Sequence, residues 1–184
     1  MMLSLKALTT SIAGSAAAGF DARLFHDRLR RHLRRWLVAY LLVPPAFLWF
    51  DAHYQLGLNA TRSLPEQLFL IEHGQFPSRG DYVAFRWHGG GPYPAGTVFI
   101  KTLAGIPGDV VSRKGNEYRV NGRPMGTAKP VTREGETLAP GPTGVLPERR
   151  YYVAAPHPDS LDSRYALTGW IDRTQIIGRA HAVL

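Results

Sequence analysis

The chain of 184 residues contains no cysteine. That excludes a disulfide framework, a thiolate metal site and a cysteine nucleophile, and it leaves the redox compartment without a marker. Its histidines, His26, His32, His53, His73, His88, His157 and His181, show neither metal-ligand spacing nor an H-E-x-x-H pattern. No metal and no cofactor are therefore expected. The glycines of HGGGPYPAG (88–96) lack the strand-to-helix context of a phosphate cradle and read as a loop. No internal repeat is present. An evenly basic surface is also lacking. Of the net charge of +8, five units come from residues 1–35, where Lys6, Arg23, Arg28, Arg30, Arg31, Arg34 and Arg35 face only Asp21 and Asp27. A nucleic-acid-coating face is not indicated, and no nucleic-acid partner is expected.

The arginine cluster runs directly into RRHLRRWLVAYLLVPPAFLWFDAHY, whose segment Trp36–Phe50 has 15 uncharged residues. A membrane span takes about 20 apolar residues, with roughly 17 at the short end. Arg34 and Arg35 can snorkel, and the apolar stretch after Asp51 can add length. Pro44 and Pro45 are better tolerated in lipid than in water. We read the segment as a membrane anchor; a cleaved secretory signal and a buried core helix are the alternatives. The positive-inside bias keeps the arginines cytoplasmic and puts everything from Asp51 onward beyond the inner membrane, in the periplasm of a bacterium. The expected organisation is a basic cytoplasmic segment 1–35, an anchor or signal segment 36–56 and a folded domain 57–184. Within the first, residues 1–20 read as disordered or as an overlong start.

Plentiful glycine (19) and proline (14) favour short strands over long helices. DYVAFRW (81–87), TVFIKTL (97–103), GDVVSR (108–113), RRYYVAA (149–155) and IIGRAHAVL (176–184) read as strands. EYRVNGRPM is a hairpin, with Asn121-Gly122 supplying the left-handed residues of a tight turn. Residues 126–148, rich in Gly, Pro and Thr, read as a long loop. The expected fold class is mostly β, one compact domain behind a single N-terminal anchor.

Lys101 is the anomaly, one charge inside FIKTLAGIPGDVV (99–111). Strand alternation puts it on one face with Phe99 and Leu103. If that face is buried, desolvation lowers the ammonium pKa, and a neutral amine at about 7–8 is a usable general base. A lysine base implies a Ser or Thr nucleophile nearby. The alternative is an edge strand with Lys101 pointing to solvent.

Three blocks, in order, bear on that choice: NATRSLPEQLFLI with Ser63 and Pro65, KTLAGIPGD, and PHPDSLDSRYALTGW. Behind an N-terminal anchor they resemble the signal peptidase I clan of serine peptidases over roughly residues 36–184. Lys101, Gly105, Pro107, Gly108 and Asp109 match the lysine block, the most specific of the three. Asp162, Ser163 and Arg164 match the D-S-R block. The resemblance implies a signal-peptidase-like β domain, a catalytic pair of Ser63 and Lys101, and no cofactor. It implies an oxyanion hole from the Ser63 N–H and the Thr61 hydroxyl, though Thr61 also reads as an ordinary turn residue. It makes Ser160 the hydroxyl that orients the lysine. Asp162 and Arg164, two apart and on one face of an extended segment, are expected to form a supporting ion pair, with a direct catalytic role for Asp162 as the alternative.

The departures matter too. Ser63-Leu64-Pro65 is one residue shorter than the usual Ser-Met-x-Pro, and AAPHPDS replaces the usual Gly-Asp-Asn block. The short serine block, small size and single anchor are similar to the TraF-type peptidases of conjugative transfer. That implies a membrane-bound precursor as partner, a type IV secretion propilin. A general signal peptidase I acting on signal-peptide-bearing preproteins is the alternative. A non-catalytic membrane-anchored subunit of a secretion apparatus is the second. A LexA-like self-cleaving repressor is disfavoured, because an apolar run stands where a helix-turn-helix would. Asn59-Ala60-Thr61 is formally a glycosylation sequon and reads as accidental.

Overall fold

The computed structural model describes residues 22–61, 63–132 and 135–184. The expectation of disorder over 1–20 lies outside them. Helix α1, Ala22–His53, carries both the arginines and the apolar run. The arginines therefore lie within the helix rather than before it, and helix gives way to strand at Tyr54, inside the segment read as anchor. Pro44 and Pro45 do not break it. Its 32 residues span about 48 Å, more than the roughly 30 Å of a hydrocarbon core. The side chains of Trp36, Leu41, Leu42, Phe47 and Trp49 are all exposed. The helix is long and apolar enough to cross a membrane and is compatible with an anchor.

The chain divides into two units at Phe47 and Leu48, and the second is built almost entirely of antiparallel strands. These are β1 (Tyr54–Leu58), β2 (Leu68–His73), β3 (Tyr82–Arg86), β4 (Val98–Gly105), β5 (Val110–Lys114), β6 (Glu117–Val120), β7 (Arg123–Thr127), β8 (Gly144–Val145), β9 (Arg150–Ala154), β10 (Ile171–Asp172) and β11 (Ile176–Ala182). One 3-10 turn, Arg173–Gln175, precedes β11 and is closed by a capping box between Asp172 and Gln175. Seven strands form one sheet in the order β1-β2-β11-β3-β4-β9-β10, and four form the second, β7-β6-β5-β8. The mostly β expectation holds.

Local chemistry explains the elements. Asn121 (φ 49°) and Gly122 (φ 78°) make the two-residue turn between β6 and β7, closing the Val120–Arg123 pair. In β2, Phe69 and Ile71 are buried while Leu68 and Leu70 are half-exposed, the alternation of a strand with one covered face. In β3 and β4, Val83, Phe85 and Leu103 enter one apolar cluster with Trp87, Tyr151, Val153 and Ile171, and Ala84 and Ile100 enter another with Phe69 and Ile71. β9 is covered on both sides: Tyr152 and Ala154 pack in a third cluster with Val111, Tyr118, Val120 and Leu146. Of the loop expected over 126–148, Gly126 and Thr127 instead end β7 and Gly144 and Val145 form β8; apart from the bridges Val131–Thr137 and Pro140–Tyr165, the other described residues there are irregular.

Gly178 sits where β11 shifts register between β2 and β3, and a Cβ there would lie 1.8 Å from the carbonyl oxygen of Glu72. The obstacle is backbone and cannot rotate away. Gly178→Ala is expected to destabilise the protein by ~2 kcal/mol or more, read as a lower urea midpoint of the detergent-solubilised chain.

Candidate active site

β4 is an interior strand, hydrogen-bonded to β3 on one side and β9 on the other. Lys101 pairs with the fully buried Val83, and its Nζ lies 5.9 Å from the centre of the Phe99 ring. The solvent-facing edge position considered for this lysine is therefore not the one observed: Lys101 is 4 % exposed. Pairing of β4 with β9 ends at Thr102–Ala154, next to Lys101. From there the chain leaves the sheet and returns as the segment 155–170, which supplies the lysine with a polar neighbour.

That neighbour is Ser160, whose Oγ accepts from Lys101 Nζ at 2.8 Å. A second bond from Nζ, at 2.7 Å, goes to Ser63 Oγ. Ser63 lies on the β1–β2 loop, 38 residues away in sequence and 3 % exposed. The loop is anchored by Leu64 in the core and closed at its base by the Asn59 N–H bonded to the Gln67 carbonyl at 2.8 Å. Thr61 Oγ1 stands 3.3 Å from Ser63 Oγ. Ser63, Lys101, Ser160 and Thr61 thus converge on one cleft of about 980 Å³, whose walls include Tyr93, Phe99, Leu161 and Leu167.

Asp162 and Arg164 lie behind this group. They form the expected ion pair, but not in an extended segment: residues 162–164 make a bend and turn. Arg164 grips Asp162 with both sides of its fork, Nε to Oδ1 at 2.8 Å and Nη2 to Oδ2 at 2.9 Å. The carboxylate also accepts from the Ala155 and Arg164 N–H groups. Ser163, in the middle of the triplet, straps the turn to β9 by exchanging bonds with Val153 through its Oγ and N–H. Remaining Arg164 donors reach the carbonyls of Thr127, His157 and Ser160, so one buried guanidinium joins the second sheet to the Ser160 loop. Gly126 must be glycine there: its φ is 103°, and a Cβ would come within 2.7 Å of Arg164 Nη1.

The electrostatics follow from this layout. Burial is the largest influence on Lys101 and pulls its pKa from 10.5 down to about 8. The negative charge of Asp162 works against that fall, and the positive charge of Arg164 works with it. Desolvation wins because the carboxylate is already neutralised by its own partner.

One participant was hidden in the sequence. Asn59, dismissed there as part of an accidental sequon, has every side-chain valence engaged inside the site. Its Nδ2 donates to the carbonyls of Leu64 (2.9 Å) and Glu66 (3.0 Å), and its Oδ1 accepts from the hydroxyls of Thr61 and Ser63 (3.3 Å each). The available signal was an Asn at the start of a turn-prone segment, where side-chain-to-backbone bonds are common. Lys129 and Asp159, also unremarked, form an ion pair on the cleft wall near His157. Among the described residues no group of three His, Asp or Glu could hold a metal ion.

Comparison with known proteins gives three results. No curated protein matches the chain. The chain is similar to a crystal structure of a signal peptidase I from Enterococcus faecalis, with 24% sequence identity over 57% of this chain and 97% of that one and a TM-score of 0.39. The family model for signal peptidase, peptidase S26, matches residues 29–184, more than four fifths of the chain. By that match the protein belongs to the S26 signal peptidases, a family of serine endopeptidases.

Proposed function

We propose that this protein is a membrane-anchored endopeptidase in which Ser63 is the nucleophile and Lys101 the general base. The observation that carries the reading is the buried 2.7 Å contact between Lys101 Nζ and Ser63 Oγ, with the amine desolvated to a pKa of about 8. Neutral Lys101 takes the Ser63 hydroxyl proton as Oγ bonds to the scissile carbonyl carbon. The C–N bond then breaks, and the lysine passes that proton to the leaving amine. Water attacks the resulting ester with Lys101 again as base, and Ser63 recovers its proton as the acyl group departs. The Ser63 N–H and the Thr61 hydroxyl hold the oxyanion. Ser160 orients the amine. Asp162 supports the site through Arg164 rather than reacting, since its oxygens are occupied by four donors.

The substrates are precursor proteins held at the outer face of the bacterial inner membrane, with α1 crossing it and the β domain in the periplasm. The short Ser63-Leu64-Pro65 block and the single apolar helix favour the propilin of a conjugative type IV secretion system over secretory preproteins at large. Purified enzyme offered both a propilin and a signal-peptide-bearing preprotein should cleave the propilin at least tenfold faster. Equal rates would instead make the protein a general signal peptidase. A reporter fused after Leu184 should be active only if it works in the periplasm.

Ser63→Ala and Lys101→Ala should each abolish cleavage in a folded protein, and the double variant should be little worse than either, because the two act as a unit. The acidic limb of kcat/KM should lie near 8. Lys101→Arg should be inactive, because a guanidinium stays protonated across this range.

The same desolvation acts on stability. A lysine whose folded pKa lies below its unfolded value penalises folding at neutral pH, and the penalty fades as pH rises from about 8 to 10.5. The fall from 10.5 to about 8 corresponds to roughly 3–4 kcal/mol at most. Lys101→Met should therefore raise the urea midpoint at pH 7 and lose that advantage near pH 10.5, while remaining inactive.

A further inference from the structure

We infer that Asn59 is a positioning residue for this reaction: its side-chain carbonyl holds the Ser63 hydroxyl proton while Lys101 is charged and releases it when the lysine becomes neutral. The inference rests on the Ser63–Lys101 reading above.

The orientation of the Asn59 amide is determined by its partners. Two backbone carbonyls, of Leu64 and Glu66, face one end and can only accept, so that end is the NH2 group. The other end is the carbonyl, and it faces the hydroxyls of Thr61 and Ser63. Flipping the amide would set its oxygen against two carbonyl oxygens. The group is therefore held at four points within its own loop.

Ser63 has one hydroxyl proton. When Lys101 is charged, every position on Nζ carries hydrogen, and Ser63 Oγ accepts at 2.7 Å. The serine proton must then point elsewhere; Thr61 Oγ1, also 3.3 Å from Ser63 Oγ, is placed as a donor, so the acceptor-only Asn59 Oδ1 at 3.3 Å receives the proton. When Lys101 is neutral, Nζ has a lone pair, and base catalysis requires the same proton to turn toward it. That change is a rotation about one C–O bond and moves no heavy atom. At 3.3 Å the bond to Asn59 is at the long, weak end for O–H···O, which suits a contact that must be surrendered. Thr61 Oγ1, also 3.3 Å from Asn59 Oδ1, can leave it in the same way when it turns toward an oxyanion.

This arrangement has a signature that a mere loop brace would lack. The Asn59 acceptor stabilises the charged-lysine state only, so it raises the pKa of the base. The other groups facing Lys101 are Asp162 and Arg164 behind it, with Lys129, Glu136, His157 and Asp159 on the same cleft. All are untouched by substitution at Asn59.

The test uses the detergent-solubilised full chain and its pH profile. In Asn59→Leu, which lacks the acceptor, the acidic limb of kcat/KM should move to lower pH by about half to one unit, the scale of one neutral hydrogen bond, with a lower plateau. In Asn59→Asp, a carboxylate beside Ser63 should move the limb to higher pH by about one unit or more. Folded variants that both keep the wild-type limb would overturn the inference. If neither variant folds, the wild-type protein still decides. The Asn59 carboxamide carbon, followed by NMR, should titrate with the midpoint of the acidic limb, and a resonance flat through that range would refute the inference. An active Lys101→Arg would remove the dyad and this inference together. Inactive dyad variants beside unmoved Asn59 limbs would remove this inference alone.

Discussion

The site depends on keeping one amine out of water without giving it a free counter-ion. Lys101 needs burial to become a base near neutral pH, and burial is available only because β4 is interior and its face is covered by Phe99, Val83 and the returning segment 155–170. A naked carboxylate near Nζ would undo this by holding the proton. The fold places Asp162 close enough to matter but ties its oxygens to Arg164 and two backbone N–H groups. The pair then acts as a girder. It shapes the turn that carries Ser160, and through Arg164 it fastens that turn to the second sheet.

The proposed nucleophile is held by a different device. Ser63 belongs to a nine-residue loop whose ends are joined by backbone, whose middle is anchored by Leu64, and whose polar interior is organised by Asn59. Nothing in that loop needs to move for a hydroxyl to change partners. In the proposed reaction, the closed loop at Ser63 and the buried strand at Lys101 set the two groups 2.7 Å apart before substrate arrives, which is where such sites gain rate. The helix that precedes the domain carries its arginines and its apolar run as one continuous element. That element is long and apolar enough to cross a membrane.

Much of this was legible from residue pattern. The alternation around Lys101 put the charge on an apolar face, and the Asn121-Gly122 pair marked a hairpin. What escaped did so for physical reasons. β1 starts at Tyr54, directly after the helix ends at His53, and so fell inside the segment 36–56 read as anchor. Asp162 and Arg164 were expected to meet by strand alternation, yet they meet across a turn, because the long arginine side chain can fold back onto a carboxylate two residues away without a shared strand face. Asn59 looked incidental because its partners, residues 61, 63, 64 and 66, come within reach only after the loop closes.

The central claim is that the fold desolvates Lys101 far enough to make it a usable base near pH 8, and a direct titration tests it. With lysine labelled at the ε carbon, the Lys101 signal, assigned by its loss in Lys101→Met, is followed from pH 6 to pH 11 in the folded, detergent-solubilised protein. The account predicts a midpoint near 8. A midpoint near 10.5, the ordinary value for a solvated lysine, would mean that the amine stays charged beside Ser63 and that another group must take its proton.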